Sequence, residues 1–319
     1  LIKIRNLVKK YGNLTAVDNL TLDISENEVF GLLGSNGAGK TTTIHMLATL
    51  LKPTSGTATV NGYDITNQPA KVRASIGIVF QAPSSDDMLT GYENLHLHAM
   101  LYSVHRRTRK QRIEEVLELV GLTERKHDQV KTYSGGMRRR LEIARGLLHK
   151  PKVMFLDEPT LGLDPASRES MWKYVRRLVE EEKVTIILTT HYMEEADMLC
   201  DRIAIIDKGR IVALDTPAKL KAGLGGDIVR IKTKKFMQQD IDKIRQFSFV
   251  HKLEQSDGFL VLSVDNAKRD LPVLLKNVEA ESAEFTSPTL NDVFIQLTGR
   301  NTDKEQAEGG FMERYARYD

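Results

Sequence analysis

One eight-residue stretch constrains this chain more than any other: GSNGAGKT, residues 34–41, falls between the buried-strand pattern VFGLLG (29–34) and a helical pattern over 40–51 that Pro53 stops. The spacing GxxxxGK[ST] in a strand, turn and helix setting is that of a phosphate loop. Its glycines let successive backbone N–H groups curl around an anion at the positive end of a helix. Lys40 adds a point charge near the β- and γ-phosphates of a nucleotide, and Thr41 offers a hydroxyl to Mg²⁺. A chain built on this unit is expected to fold as an α/β protein with the loop at the carboxyl edge of a sheet.

The flanking patterns agree with that expectation. The apolar runs in KVMFLDEP (152–159) and VTIILTTH (184–191) alternate with a predicted helix at 166–182 and a short helix from 192, which implies a parallel sheet. IAIIDKGRIVALD reads as a hairpin turning at Asp207, Lys208 and Gly209. Residues 1–30 and 57–63 alternate apolar and polar side chains, as half-buried antiparallel strands of a side sheet would. Residues 91–148 read as all-helical; Ile113, Val116, Leu117 and Val120 share one face, and Gly121 closes that helix.

Past Pro217 the character changes. KAGLGGD reads as a linker into a βαββαβ order, with strands at 227–233, 249–255, 258–264 and 280–286 and helices at 237–246 and 267–278. Ser287 and Pro288 predict the N-cap and first helical position of a last helix ending near Gly299, and 300–319 reads as a flexible polar tail. The expected domains are 1–218, with a helical subdomain at about 91–148, and an accessory domain at 223–299, an organisation that suits 319 residues.

Charge and composition remove other classes. Against 46 Lys plus Arg stand 43 Asp plus Glu, and a net +3 argues against nucleic acid as the main partner. The run HRRTRKQR (105–112) reads as a solvated helix start, and Arg138 to Arg140 as an exposed helix face. A single cysteine, Cys200, allows no internal disulfide and fits a reducing compartment. No apolar run approaches the roughly 18–20 residues needed to cross a bilayer. The chain opens at Leu1 without an apolar leader pattern, so no signal peptide is expected.

Two further constellations carry chemistry. Asp157 and Glu158 follow four apolar strand residues, where two exposed carboxylates would meet the phosphate loop. Asp157 is expected in the Mg²⁺ shell, and Glu158 as the general base that polarises the attacking water. YSGGM (133–137) opens the amphipathic helix RRRLEIARGLL, a second anion-binding helix end. One nucleotide cannot easily use two such ends on separate lobes of one copy, so a two-fold dimer with ATP between the subunits is expected, either a homodimer or a pairing with another cassette.

In order, a phosphate loop, an SGG signature, a strand ending in Asp-Glu and an isolated His191 resemble the ATP-binding-cassette (ABC) ATPases over residues 1–218. GLLGSNGAGKTTTIHML, YSGGMRRRLEIARGLL and FLDEPTLGLDP are most similar to the daunorubicin/doxorubicin-resistance type of exporter ATPase. The resemblance implies a P-loop NTPase fold: a mostly parallel core sheet with an antiparallel β subdomain and a helical subdomain, plus a small α+β C-terminal domain. It implies ATP held by Gly34, Ser35, Asn36, Gly37, Ala38, Gly39, Lys40, Thr41 and Thr42, with Tyr11 stacked on adenine and Val17 beside it. Gln81 would reach Mg²⁺ and the attacking water, His191 the γ-phosphate, and Asp164 the opposite subunit; Asp164 before Pro165 is also an ordinary helix N-cap. Ser134, Gly135 and Gly136 would face the γ-phosphate of the partner's ATP.

The signature departs from the commoner LSGGQ at Tyr133 and Met137, which puts in question one polar contact to the nucleotide. The implied function is a peripheral motor on the cytoplasmic face of the membrane, hydrolysing ATP to drive efflux of drug-like or lipophilic compounds through separate transmembrane permease subunits. Its alternatives are an ABC switch acting on nucleic acid or the ribosome, and the ATPase of an uptake system. Lys40 and Ser134 are only 94 residues apart, which leaves no room for a long coiled coil, and a single cassette is present, both against the switch.

Overall fold

A computed structural model describes residues 1–232, 238–256, 259–278 and 280–299. The predicted polar tail at 300–319 lies outside the described residues. The chain divides into two compact units, one spanning Leu1–Asp215 and one beginning at Thr216.

In chain order the first unit contains β1 (Ile2–Tyr11), β2 (Leu14–Ile24), β3 (Val29–Leu33), α1 (Lys40–Leu47), β4 (Ser55–Val60), β5 (Tyr63–Asp64), α2 (Pro69–Ser75) and β6 (Ile76–Val79). The helical stretch follows as α3 (Gly91–Leu101), α4 (Arg106–Leu119), two single 3-10 turns and α5 (Gly135–Leu147). Then come β7 (Val153–Asp157), α6 (Pro165–Glu180), β8 (Thr185–Thr190), α7 (Met193–Leu199), β9 (Arg202–Asp207) and β10 (Arg210–Asp215).

The core sheet has the order β10-β9-β3-β8-β7-β6. Its strands run parallel except the edge strand β10, which pairs antiparallel with β9. Strands covered on both faces read as near-continuous apolar runs, and Val29–Leu33 and Val153–Asp157 are buried at every position, with Asp157 the polar residue at the strand end. Each fully buried Ile or Leu of this kind contributes about 1.5–3 kcal/mol. A second sheet, β2-β1-β4-β5, is antiparallel and matches the predicted side sheet.

Register fixes the site. Leu33 pairs with Thr190, Asp157 with Thr189, and Val79 with Leu156, so the chain leaves β3, β8, β7 and β6 at one edge. The segments containing Gly34, His191, Glu158 and Gln81 begin there.

Within 91–148, α4 buries Ile113, Val116 and Leu117, with Val120 and Gly121 ending it as the periodicity predicts. Helix α5 packs unusually close to β6: a Cβ on Gly77 would lie 2.5 Å from the Gly146 carbonyl oxygen, so only glycine fits there. The helix predicted at 40–51 is shorter, ending at Leu47 with Ala48 as C-cap. Thr49, at φ +62°, turns the chain before Pro53 is reached.

The second unit contains α8 (Pro217–Ala222), β11 (Asp227–Lys232), α9 (Gln238–Arg245), β12 (Val250–Ser256), β13 (Phe259–Val264), α10 (Ala267–Leu275), β14 (Ser282–Thr286) and α11 (Leu290–Thr298). Its antiparallel sheet has the order β12-β13-β11-β14, a split βαβ arrangement over its own apolar core. The N-cap predicted at Ser287 is instead Thr289, which forms a reciprocal capping box with Asp292. Ser287 and Pro288 stand ahead of that box. Among the described residues, no helix is long and apolar enough to cross a membrane.

Candidate functional site

The loop at 34–39 joins β3 to α1, with Asn36 and Gly37 exposed and Ser35 and Ala38 buried. Gly39 has φ +104°, and a Cβ there would sit 2.4 Å from the Ala16 carbonyl oxygen, so both conformation and space exclude a side chain. Lys40, the first residue of α1, is buried and folds over its own loop, donating to Gly34 O at 2.7 Å and Ser35 O at 3.0 Å. Burial lowers its pKa, while the charges of Glu158 and Asp157 oppose that shift.

Thr41 Oγ1 donates to Asp157 Oδ1 at 3.1 Å, and Thr189 Oγ1 donates to the same oxygen. A hydroxyl and a carboxylate oxygen are hard donors of the kind Mg²⁺ takes. Among the described residues no group of three or more His, Cys, Asp or Glu side chains could hold a metal ion. The hydroxyl and carboxylate oxygens of Thr41 and Asp157 suit an ion that draws its other ligands from phosphate and water, the usual habit of Mg²⁺. Thr42 follows, half-buried on α1.

Glu158 turns out of β7 at φ +48°, a left-handed conformation that costs a non-glycine residue about 1–3 kcal/mol. Its amide donates to Thr189 O at 3.2 Å and Thr189 Oγ1 at 3.1 Å, which holds the turn. Its carboxylate lies 3.1 Å from His191 Nδ1, 4.0 Å from Lys40 Nζ and 3.4 Å from Gln81 Nε2. Burial raises its pKa, but the His191 hydrogen bond and the charges of His191, Lys40 and Arg139 outweigh that, so Glu158 titrates below the ordinary glutamate range. The two carboxylates are not exposed as the sequence pattern predicted: Asp157 is 3% exposed and the Glu158 side chain 10%. β8 and the phosphate loop flank them, so Asp157 is buried and Glu158 half-buried.

The remaining candidates are spread more widely. Ser134 caps α5 by accepting from Met137 N at 3.3 Å, and Ser134 and Gly135 are exposed while Gly136 is half-buried. Asp164 caps α6, accepting from Ser167 N at 3.0 Å. Tyr11 ends β1 as an exposed residue, with Lys9 Nζ 5.1 Å from its ring centroid. Val17 is fully buried in the core, so it has no side-chain surface to offer a base; its neighbour Ala16 is what meets Gly39.

Arg138 to Arg140 do not form an exposed face. Arg139 is buried and donates to the carbonyls of Pro159, Phe80, Asp157 and Glu158. Arg138 pairs with Asp87, and Arg140 donates to Val120 O at 3.0 Å. The sequence reading also missed Thr189, Glu142 and Glu195. Glu195 is fully buried, accepting from Thr160 Oγ1 at 2.7 Å and Trp172 Nε1 at 3.3 Å, and burial raises its pKa against those bonds and one from Thr190. Helical spacing offered one signal: 139, 142 and 146 lie on the side of α5 that packs on β6.

Residues 17–161 match the model of the ABC transporter family, and 216–298 match that of the C-terminal domain of DrrA1-3-like ATP-binding proteins. The chain is 39% identical over 314 residues to the daunorubicin/doxorubicin resistance ATP-binding protein DrrA of Streptomyces peucetius, covering 96% of this chain and 95% of that one. The chain belongs to the ABC transporter family. Its likeness to the linearmycin resistance ATP-binding protein LnrL of Bacillus subtilis is again 39%, over 94% of this ABC chain and 99% of the relative. A solved ABC cassette, the dimeric MJ0796 in a post-hydrolysis state with ADP and phosphate, shares 28% identity at a TM-score of 0.61, covering 68% of this chain and 98% of that one. The fold is that of an ABC cassette, and the chain is an ATP-binding, ATP-hydrolysing ABC subunit. As such it works with separate membrane permease partners.

Proposed function

We propose that the chain powers export of lipophilic, drug-like compounds, hydrolysing MgATP at the edge where β3, β7 and β8 end. One observation carries the hydrolytic reading: a half-buried, anionic Glu158 stands within 4.0 Å of the phosphate-loop lysine and in contact with His191 and Gln81. The resistance functions named for DrrA and LnrL support the export reading, and the dimeric cassette structure supports a two-fold assembly.

Mg²⁺ would be held by Thr41, Asp157 and Gln81, where it would neutralise charge on the phosphate oxygens. The loop from Gly34 to Thr42 would bind the phosphates, and the exposed Tyr11 ring the adenine. Glu158 accepts a proton from the attacking water as its oxygen bonds to the γ-phosphorus and the bond to the β,γ-bridging oxygen breaks, leaving ADP and phosphate. Lys40 stabilises charge gathering on the γ-phosphate, and His191 holds the carboxylate in place. Ser134, Gly135 and Gly136 of a second copy, with Asp164 nearby, would close the site from the far side.

Reconstitution with its membrane subunits in vesicles tests the reading. ATP-driven movement of an anthracycline out of the compartment holding the chain is expected, and it should stop with Glu158→Gln. Movement that continues in that variant, or ATP hydrolysis without any movement of lipophilic compounds, would contradict it.

A further inference from the structure

The first two turns of α5 do more than present the SGG tip. The Arg139 guanidinium reaches main-chain carbonyls at and just past the ends of two strands: Nε donates to Pro159 O at 2.9 Å, Nη2 to Asp157 O at 2.7 Å and Glu158 O at 3.0 Å, and Nη1 to Phe80 O. One turn on, Glu142 accepts from Ser84 N at 3.1 Å, Ser84 Oγ at 2.9 Å and Ser85 N at 2.8 Å. Arg145 Nη1 lies 2.8 Å from both Glu142 oxygens and compensates its charge.

Phe80 on one side and Ser84 with Ser85 on the other bracket Gln81. The carbonyls of Asp157, Glu158 and Pro159 bracket the turn at Glu158. Beyond Asp157 neither segment belongs to a strand or helix; the Glu158 amide still bonds to Thr189, while the carbonyl side of that turn and the loop around Gln81 lean on α5. Glu158 also holds a positive φ, a conformation that persists only where its surroundings impose it. Gln81 Nε2 and Glu158 Oε2 nevertheless come within 3.4 Å, and α5 bonds to the main chain beside both residues.

We infer that Arg139 and Glu142 are positioning residues for ATP hydrolysis, holding the main chain on both sides of Gln81 and Glu158 and thereby fixing the amide against the carboxylate. The inference rests on the hydrolytic reading above and adds a mechanical link to it. The helix that opens with Ser134 cannot shift without carrying the Gln81 loop and the Glu158 turn with it. Arg suits the post because its planar fork spans several carbonyls at once, which the single ammonium of lysine cannot do.

Steady-state kinetics of the full chain with MgATP test this, with binding of a non-hydrolysable ATP analogue as the check on folding. Arg139→Lys should lower kcat by about 10- to 100-fold, the scale of a small misplacement in a site that works by alignment. Its KM should stay within about threefold of wild type, since phosphate-loop binding is untouched. In a Glu158→Gln background the same change should add almost nothing, because the group it positions is gone. Should Arg139→Lys fail to fold, Glu142→Gln decides: kcat falls severalfold in the wild-type chain and not further in a Gln81→Ala background. Unchanged kcat in both variants, or losses that simply multiply in those backgrounds, would overturn the inference. A wild-type chain no faster than Glu158→Gln is a different result, and would overturn the hydrolytic reading itself.

Discussion

His191 Nδ1 and Glu158 Oε1 meet at 3.1 Å across the ends of neighbouring strands β8 and β7. An ionised carboxylate only accepts, so the proton of this contact sits on Nδ1. The bond helps hold the Glu158 pKa down against burial. Removing it with His191→Ala should therefore raise that pKa. A base must be unprotonated to act, so its activity is lost as pH falls through its pKa. The acid limb of the kcat profile is expected at higher pH in His191→Ala than in wild type, with kcat at neutral pH about 10²-fold lower. An acid limb that stays in place would show that the histidine does not govern this carboxylate.

Glu158→Gln keeps the shape of the side chain and its contact to Gln81 but removes the proton acceptor. Hydrolysis should slow by about 10²–10⁴ while ATP binding persists. Single-turnover hydrolysis alongside equilibrium ATP binding separates the two quantities, and near-normal turnover would remove Glu158 from its role.

Gly39→Val puts a branched side chain at φ +104° with the Ala16 carbonyl oxygen 2.4 Å from its Cβ. Either fault costs about 1–3 kcal/mol, and together they should distort the loop. Nucleotide affinity is expected to drop at least tenfold, read by calorimetry, whereas the same change at exposed Gly62, which meets nothing within 4 Å, should leave affinity intact.

His98, half-buried on α3, accepts from Arg145 Nη2 through Nε2 and faces Glu142 and the Tyr102 ring. Burial first, then the Arg145 charge, against Glu142, lowers its pKa from 6.5 to about 4. Between those values the unfolded chain binds more protons than the native one, so stability rises with pH. It is complete above pH 6.5 and erodes towards pH 4. His98→Gln should remove about 1–2 kcal/mol of that dependence, after allowing for solvent screening of a group still half in water. Unfolding midpoints at pH 7 and pH 5 measure it; equal slopes in both chains would exclude His98 as the source.

The parts of the site legible in the sequence are those written as local order. GSNGAGKT after a buried strand, and Asp157 and Glu158 after another, fix loop and carboxylates without any tertiary knowledge. The parallel sheet followed from apolar runs between helices, and its register then brought Gly34, Glu158 and His191 to one edge. Arg139 was not legible in the same way. In the string RRR all three residues look solvated, and only the packing of α5 on β6 decides that the middle one turns inward. Glu142 contacts Ser84 across 58 residues, a pairing no local pattern contains. Thr289 and Ser287 both carry capping hydroxyls; Asp292, three residues after Thr289, completes the box and breaks the tie. Val17 shows the opposite case, where an implied contact meets a side chain that the core has already taken.

The assembly is tested most directly by the mass and nucleotide content of the Glu158→Gln chain in MgATP, measured by light scattering and chromatography of the bound nucleotide. Two chains of 36.0 kDa holding one ATP each are expected. Ser134→Arg, at the exposed tip of α5, should return the chain to a monomer that still binds ATP. A monomer that encloses ATP by itself, indifferent to the Ser134 change, would contradict the two-copy site.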